Sequence, residues 1–202
     1  MKKKDWMMKS NYREIWPTPI GEYWLEDMSI HSEIHDRVAN FQCNDDDTSH
    51  LLKDQTRFGD WVKECVYDYV SKFNYHIKSF EIQRAWCNVQ KPLQDNFIHT
   101  HQHVDIAGVY YLDAIPQHPA LEIFDPRPAH NFNMVHRKLT DGSIASGFCS
   151  IQIPPEKYKL LLHPGYLHHG VTHNLTNISR ACVAMNIITK RDHTIKNVTS
   201  SS

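Results

Sequence analysis

The sequence predicts a mostly β, α+β fold, an antiparallel sandwich or jelly roll with N-terminal helices packed on its outside. Three observations carry this expectation. Past about residue 78 the apolar positions change from helical spacing to alternation, the period of a half-buried strand. Nine short alternating segments then follow one another with turn residues between them, which suits an antiparallel sandwich or barrel. With 202 residues, 41% of them apolar and 11% aromatic, the chain is long enough for one domain with a sizeable core.

Taken in order, Trp16-Pro17-Thr18-Pro19-Ile20 is an extended entry held open by two prolines, and Glu22 to Glu26 is a short strand. Ser29 caps a helix running to about Gln42, with Ile30, Ile34, Val38 and Phe41 on one face. A polar break at Asn44 to Ser49 precedes a second helix from about Gly59 to Phe73, where Trp61, Cys65, Tyr69 and Phe73 recur beside Val62, Val66 and Val70. The strands are Phe80 to Gln90, Phe97 to His101, Ile106 to Asp113, Ala120 to Phe124, Met134 to Lys138, Phe148 to Ile153, Tyr158 to Leu162, His168 to His173 and Arg180 to Thr189. No linker separates helices from strands. The chain therefore reads as one domain, 1–202: an N-terminal extended segment and supporting helices (1–78), a strand core (79–190) and a polar tail (191–202).

Charge and cysteine usage narrow the function classes. A net charge of -1 gives no electrostatic footprint for nucleic acid. Cys43, Cys65, Cys87, Cys149 and Cys182 are scattered, without a CxxC pair, and read as free thiols of a reducing compartment. No apolar stretch has the length of a signal sequence or a membrane span, so a cytoplasmic protein is expected, in the host cytoplasm if phage-encoded.

Chemistry is concentrated in two clusters of the fifteen histidines. His99 and His101, two apart on an expected strand, would project from one face of it, and that face carries both imidazoles. In Leu167-His168-His169-Gly170-Val171 the apolar face holds Leu167, His169 and Val171, so His169 points inward. Three such ligands make a mononuclear site suited to Fe(II), Mn, Ni or Zn, and resemble the facial triad of a non-heme iron oxygenase. A second pair, His103 and Asp105, lies so close to the next strand that His99 and His101 are preferred, with Asp105 as an extra or replacement ligand. His103, His163, His168 and His173 are expected around the site or on the surface. Downstream, Arg180 shares a strand face with Cys182, Ala184 and Asn186, all small or polar, which leaves room for an anionic co-substrate such as 2-oxoglutarate.

These motifs, taken in order, resemble one family over nearly the whole chain. They are Pro17 to Ile20, Trp86 with Asn88, His99 and His101 before Gly108-Val109-Tyr110-Tyr111, Phe124-Asp125-Pro126-Arg127, Pro164, Leu167 with His169, and Arg180 followed by Asn186. The chain resembles the Fe(II)- and 2-oxoglutarate-dependent oxygenases, in particular a small group common in phages and bacteria. The resemblance implies a double-stranded β-helix holding Fe(II), 2-oxoglutarate chelating the metal, and its far carboxylate on Arg180. Asn88, Tyr110 and Asn186 are further expected contacts of the co-substrate. The reaction implied is of the hydroxylase type, coupling oxidative decarboxylation of 2-oxoglutarate to oxidation of a substrate. Many relatives carry His-x-Asp where this chain has His99 and His101.

Two other readings stay open on the sequence. A cupin-type metal dioxygenase would use His99 and His101 without 2-oxoglutarate, and would have no reason to keep Arg180. A non-enzymatic jelly-roll protein of structural or assembly type would carry its histidines incidentally. The substrate, a small molecule or a peptidyl residue, and the oligomeric state are not specified; substrate choice is expected in loops such as Pro116 to Pro119 and Arg127 to Asn133.

Overall fold

The computed structural model describes residues 18–39, 52, 56–72, 77–126, 137–138, 144–145 and 150–191. Its elements are β1 (Gly21–Trp24), α1 (Met28–Ala39), α2 (Arg57–Lys72), β2 (Ile77–Gln90), β3 (Asn96–His99), β4 (Ile106–Asp113), β5 (Leu121–Phe124), β6 (Arg137–Lys138), β7 (Ile144–Ala145), β8 (Ser150–Ile153), β9 (Lys159–Pro164), β10 (His169–Val171) and β11 (Arg180–Arg191). Two antiparallel sheets dominate, one ordered β1-β9-β4-β11-β2 and the other β3-β10-β5-β8, with β6 and β7 paired separately. From β2 to β5 and again from β8 to β11 the chain alternates between these two sheets. That is the winding of a double-stranded β-helix, a jelly roll.

Alternation along the central strands sorts their side chains into two cores. Ala85, Cys87, Tyr110, Leu112, Leu160, Leu162, Val183, Met185 and Ile187 turn one way, against Ile34 and Val38 of α1 and Val62, Val66, Tyr69 and Val70 of α2. The opposite set, Tyr111, Leu161 and Cys182, faces Leu121, Ile123, Ile153 and Val171 of the smaller sheet. The helices therefore back the five-stranded sheet from outside, and the space between the sheets is left for the site. No helix among the described residues is long and apolar enough to cross a membrane.

Several boundaries differ from those expected. Asp27 caps α1 in place of Ser29: its Oδ1 accepts the Ser29 N–H at 3.0 Å and the Ser29 hydroxyl at 2.6 Å. Thr56 caps α2, its hydroxyl oxygen accepting the Gly59 N–H at 2.9 Å. Gln42, Phe41, Phe73, Trp16, Pro17 and most of the Met134 to Lys138 strand lie outside the described residues, as do Cys43 and Cys149. Cys65, Cys87 and Cys182 are buried thiols outside any disulfide. The strand expected over Phe97 to His101 stops at His99. The chain then turns through His103, whose φ of 61° places it in the left-handed region.

Candidate metal centre

His99 ends β3 and His169 begins β10, and the two residues pair directly across those antiparallel strands. Their side chains meet because directly opposed residues share a face. His101 arrives from the loop after β3, which a backbone bond fixes: its N–H donates to the Gly165 carbonyl at 3.0 Å. Gly165 is required at that turn, since a Cβ there would collide with the Val104 carbonyl oxygen. The expectation that His99 and His101 share a strand face is thus corrected. They converge by a turn docked on the β9–β10 connection.

One nitrogen from each of His99, His101 and His169 lies within 4.8 Å of the other two, a grouping that could hold a metal ion. The His101 and His169 rings are nearly parallel with Nε2 atoms 3.2 Å apart. Tautomers follow from the neighbours. His99 Nδ1 lies 2.7 Å from the Phe97 carbonyl and His169 Nδ1 2.9 Å from the Leu167 carbonyl. A carbonyl only accepts, so both Nδ1 atoms carry hydrogen and both Nε2 lone pairs are free for a metal. Burial, and then the nearby His163, pushes His169 down to about 3; burial also lowers His101, with His99 adding to the effect. Neutral imidazoles are the form that ligates. Asn186 adjoins His101 and opposes that shift, although its Oδ1 is buried without a hydrogen-bond partner of good geometry.

Asp105 does not join this group. Its Oδ2 accepts the Thr189 N–H at 2.7 Å and the Thr189 hydroxyl at 2.9 Å, and its backbone N–H donates to Ile187, so the carboxylate is engaged at the sheet edge. His103 and His168 are exposed, and His173 pairs with Asp95 at 3.3 Å. His163, by contrast, is buried beside His169 with its ring edge-on, 4.6 Å between centroids, and burial holds it down to about 4.

Further along the same interior, Arg180 is 3% exposed with no carboxylate against it among the described residues. Its Nη1 donates to the Pro119 carbonyl at 3.2 Å, its guanidinium lies over the Tyr111 ring at 5.5 Å, and its Nε is buried without a partner. The Tyr111 hydroxyl is likewise buried and unpartnered. Two orphaned donors beside one buried cation form a seat for a carboxylate, because an unmet buried donor costs about 1–3 kcal/mol until an acceptor arrives. The Pro116 to Pro119 loop is tied to this seat by the Arg180 bond and by His118, which bridges the Ile115 N–H and the Ile178 carbonyl.

Register places the remaining expected contacts. Asn88 and Trp86 lie opposite Cys182 and Ala184 on the interior face, and the Trp86 ring is 6.1 Å from His101. Tyr110 is on the other face. Its hydroxyl meets His31 Nδ1 at 3.0 Å and its ring packs on Phe58 and Trp61, so it belongs to the helix layer. Tyr111 stands where Tyr110 was expected. The signal that distinguishes them is register: Tyr111 pairs with Cys182, two residues from Arg180.

A family model described as 2OG-Fe(II) oxygenase matches residues 84–186, half of the chain, and spans β2 to β11 with all three histidines and Arg180. No curated protein matches the sequence. Solved structures show the same fold at low identity. One is the non-heme α-ketoglutarate-dependent epimerase SnoN from nogalamycin biosynthesis, 9% identical, with TM-score 0.60 over 92% of this chain and 87% of that one. HygX from Streptomyces hygroscopicus, solved with nickel and 2-oxoglutarate, is 11% identical, with TM-score 0.56 over 84% of this chain and 81% of that one. A prolyl-4-hydroxylase from Pseudomonas putida is 10% identical, with TM-score 0.52 over 87% and 89%.

Proposed function

Since the chain belongs to the 2OG-Fe(II) oxygenase family, we propose that it is a hydroxylase-type dioxygenase whose Fe(II) is held by His99, His101 and His169 and whose 2-oxoglutarate is anchored by Arg180. The observation that carries this reading is the pairing, within one interior, of three converging imidazoles with a buried guanidinium whose Nε, like the neighbouring Tyr111 hydroxyl, has no hydrogen-bond partner. Bound together, iron and 2-oxoglutarate would supply, with dioxygen as the oxidant, oxidative decarboxylation to succinate and carbon dioxide and hydroxylation of a substrate C–H bond, one oxygen atom going to succinate and the other to the substrate. The chain's residues do the rest. Arg180 and the Tyr111 hydroxyl bind the far carboxylate, and the hydrogen-bonded Nδ1 atoms of His99 and His169 hold their rings in register. Asn186 orients His101, and Asn88 offers an amide to the keto-acid end. Leu121, Ile123, Leu161, Leu167 and Val171 keep water from the interior. The substrate is a small molecule or a peptidyl residue.

A cupin-type reaction without a keto acid would leave Arg180 buried and uncompensated, a costly arrangement with no return. The test is an anaerobic Fe(II) titration with and without 2-oxoglutarate, following the weak visible charge-transfer band of the chelate. His169→Ala should retain its far-UV circular dichroism while iron stoichiometry drops to near background; iron content equal to wild type would remove the ligand assignment.

A further inference from the structure

Resting on the oxygenase reading, the inference concerns charge at the metal. Three neutral imidazoles bring none, so a divalent ion held by them keeps both positive charges, whereas a set of two histidines and a carboxylate would leave one. No carboxylate joins His99, His101 and His169 among the described residues. Acidic groups on the surrounding strands and loops have partners of their own. Asp105 is bonded to Thr189, Asp95 to His173, and Glu122 accepts from the Ser150 hydroxyl at 2.6 Å. Asp125, just past β5, has a partner of its own. The Arg84 guanidinium lies 5.3 Å from the centre of the Trp86 ring, which in turn neighbours His101.

A partly buried dication with two uncompensated charges draws an anion. We propose that, before the keto acid binds, the three-imidazole centre holds one small monoanion of the halide or carboxylate class, and that this anion competes with 2-oxoglutarate for the same coordination positions. The keto acid wins because it chelates and also reaches Arg180, while the resting anion has one point of attachment. Small anions should therefore inhibit this chain in competition with 2-oxoglutarate.

The test uses the full chain loaded with Co(II), whose visible bands report ligand exchange without turnover. In buffer free of coordinating anions, azide should shift the bands saturably, chloride and formate should displace it, and 2-oxoglutarate should displace all three. His101→Asp, or His101→Glu if the shorter side chain does not reach, should weaken azide binding at least about tenfold, the least that one added negative charge at contact distance should do. Equal azide affinity in wild type and the carboxylate variants, or azide and 2-oxoglutarate bound together, would overturn the proposal. A gain in azide affinity in Asp125→Asn would also overturn it, by identifying Asp125 as the resident anion. Wild-type protein that binds no Co(II), or whose bands ignore 2-oxoglutarate, would instead sink the oxygenase reading beneath it.

Discussion

Arg180 is the residue on which the proposed co-substrate assignment turns, because its Nε and the neighbouring Tyr111 hydroxyl are both buried without a hydrogen-bond partner. Arg180→Ala should weaken 2-oxoglutarate binding by about 2–4 kcal/mol, the usual loss when one partner of a buried charge-assisted pair is removed, and leave iron affinity nearly unchanged. Lys should recover only part of this, having charge but no planar fork. Uncoupled succinate formation against keto-acid concentration measures both; an unaltered dependence would make Arg180 structural. At this scale the sequence was informative wherever a polar residue interrupted an apolar face, as at His169 and Arg180. It was silent between Tyr110 and Tyr111. Both are fully buried on a strand covered on both sides, so alternation identifies two faces without saying which one meets the ligand.

Elements decide how the imidazoles meet. The loop after β3 carries His101 into the site by docking its backbone on Gly165, and Gly165 in turn donates to the Asp105 carbonyl at 3.0 Å. A methyl group at Gly165 must push the two segments apart. Gly165→Ala should therefore lower iron affinity by about tenfold or more with helix and strand content intact, read by calorimetric titration and circular dichroism; unchanged affinity would show that the loop places His101 without this contact. Strands β2, β4 and β11 were legible from alternation because each is long and half its residues pack on the helices. The end of β3 was not. The residue that turns the chain, His103, is neither glycine nor asparagine, so no local pattern announces its positive φ.

Across the whole molecule, the interior holds imidazoles that are neutral by burial, which couples stability to acidity. His169 and His163 are pushed down to about 3 and about 4 from the ordinary 6.5, and His101 is lowered as well. Below pH 6.5 the unfolded chain takes up protons that the folded one refuses, so folding stability falls as pH drops from about 6.5 towards 3 and is insensitive to these groups above 7. The loss is large against the marginal stability of a domain. Metal-free protein should show its thermal midpoint falling steadily across that window; a flat profile would mean that the interior is wet. The jelly roll and its outer helices were legible from period and spacing. The division of labour between two cores was not, since it depends on which sheet each strand joins.

The pairing of β11 on both edges, with β2 along Arg180 to Arg191 and with β4 from Ala181 to Ile187, has a bearing on selectivity by length. Arg180 sits at one end of this strand and Asn186, beside the metal ligands, six positions along it, on a ladder that cannot stretch. On the function proposed above, the span available to the keto acid would thus be set by the backbone and not by adjustable side chains. Oxaloacetate, one methylene shorter, and 2-oxoadipate, one longer, should be decarboxylated, to malonate and glutarate respectively, some 10- to 200-fold less efficiently than 2-oxoglutarate, the range that a single methylene commands in a rigid pocket.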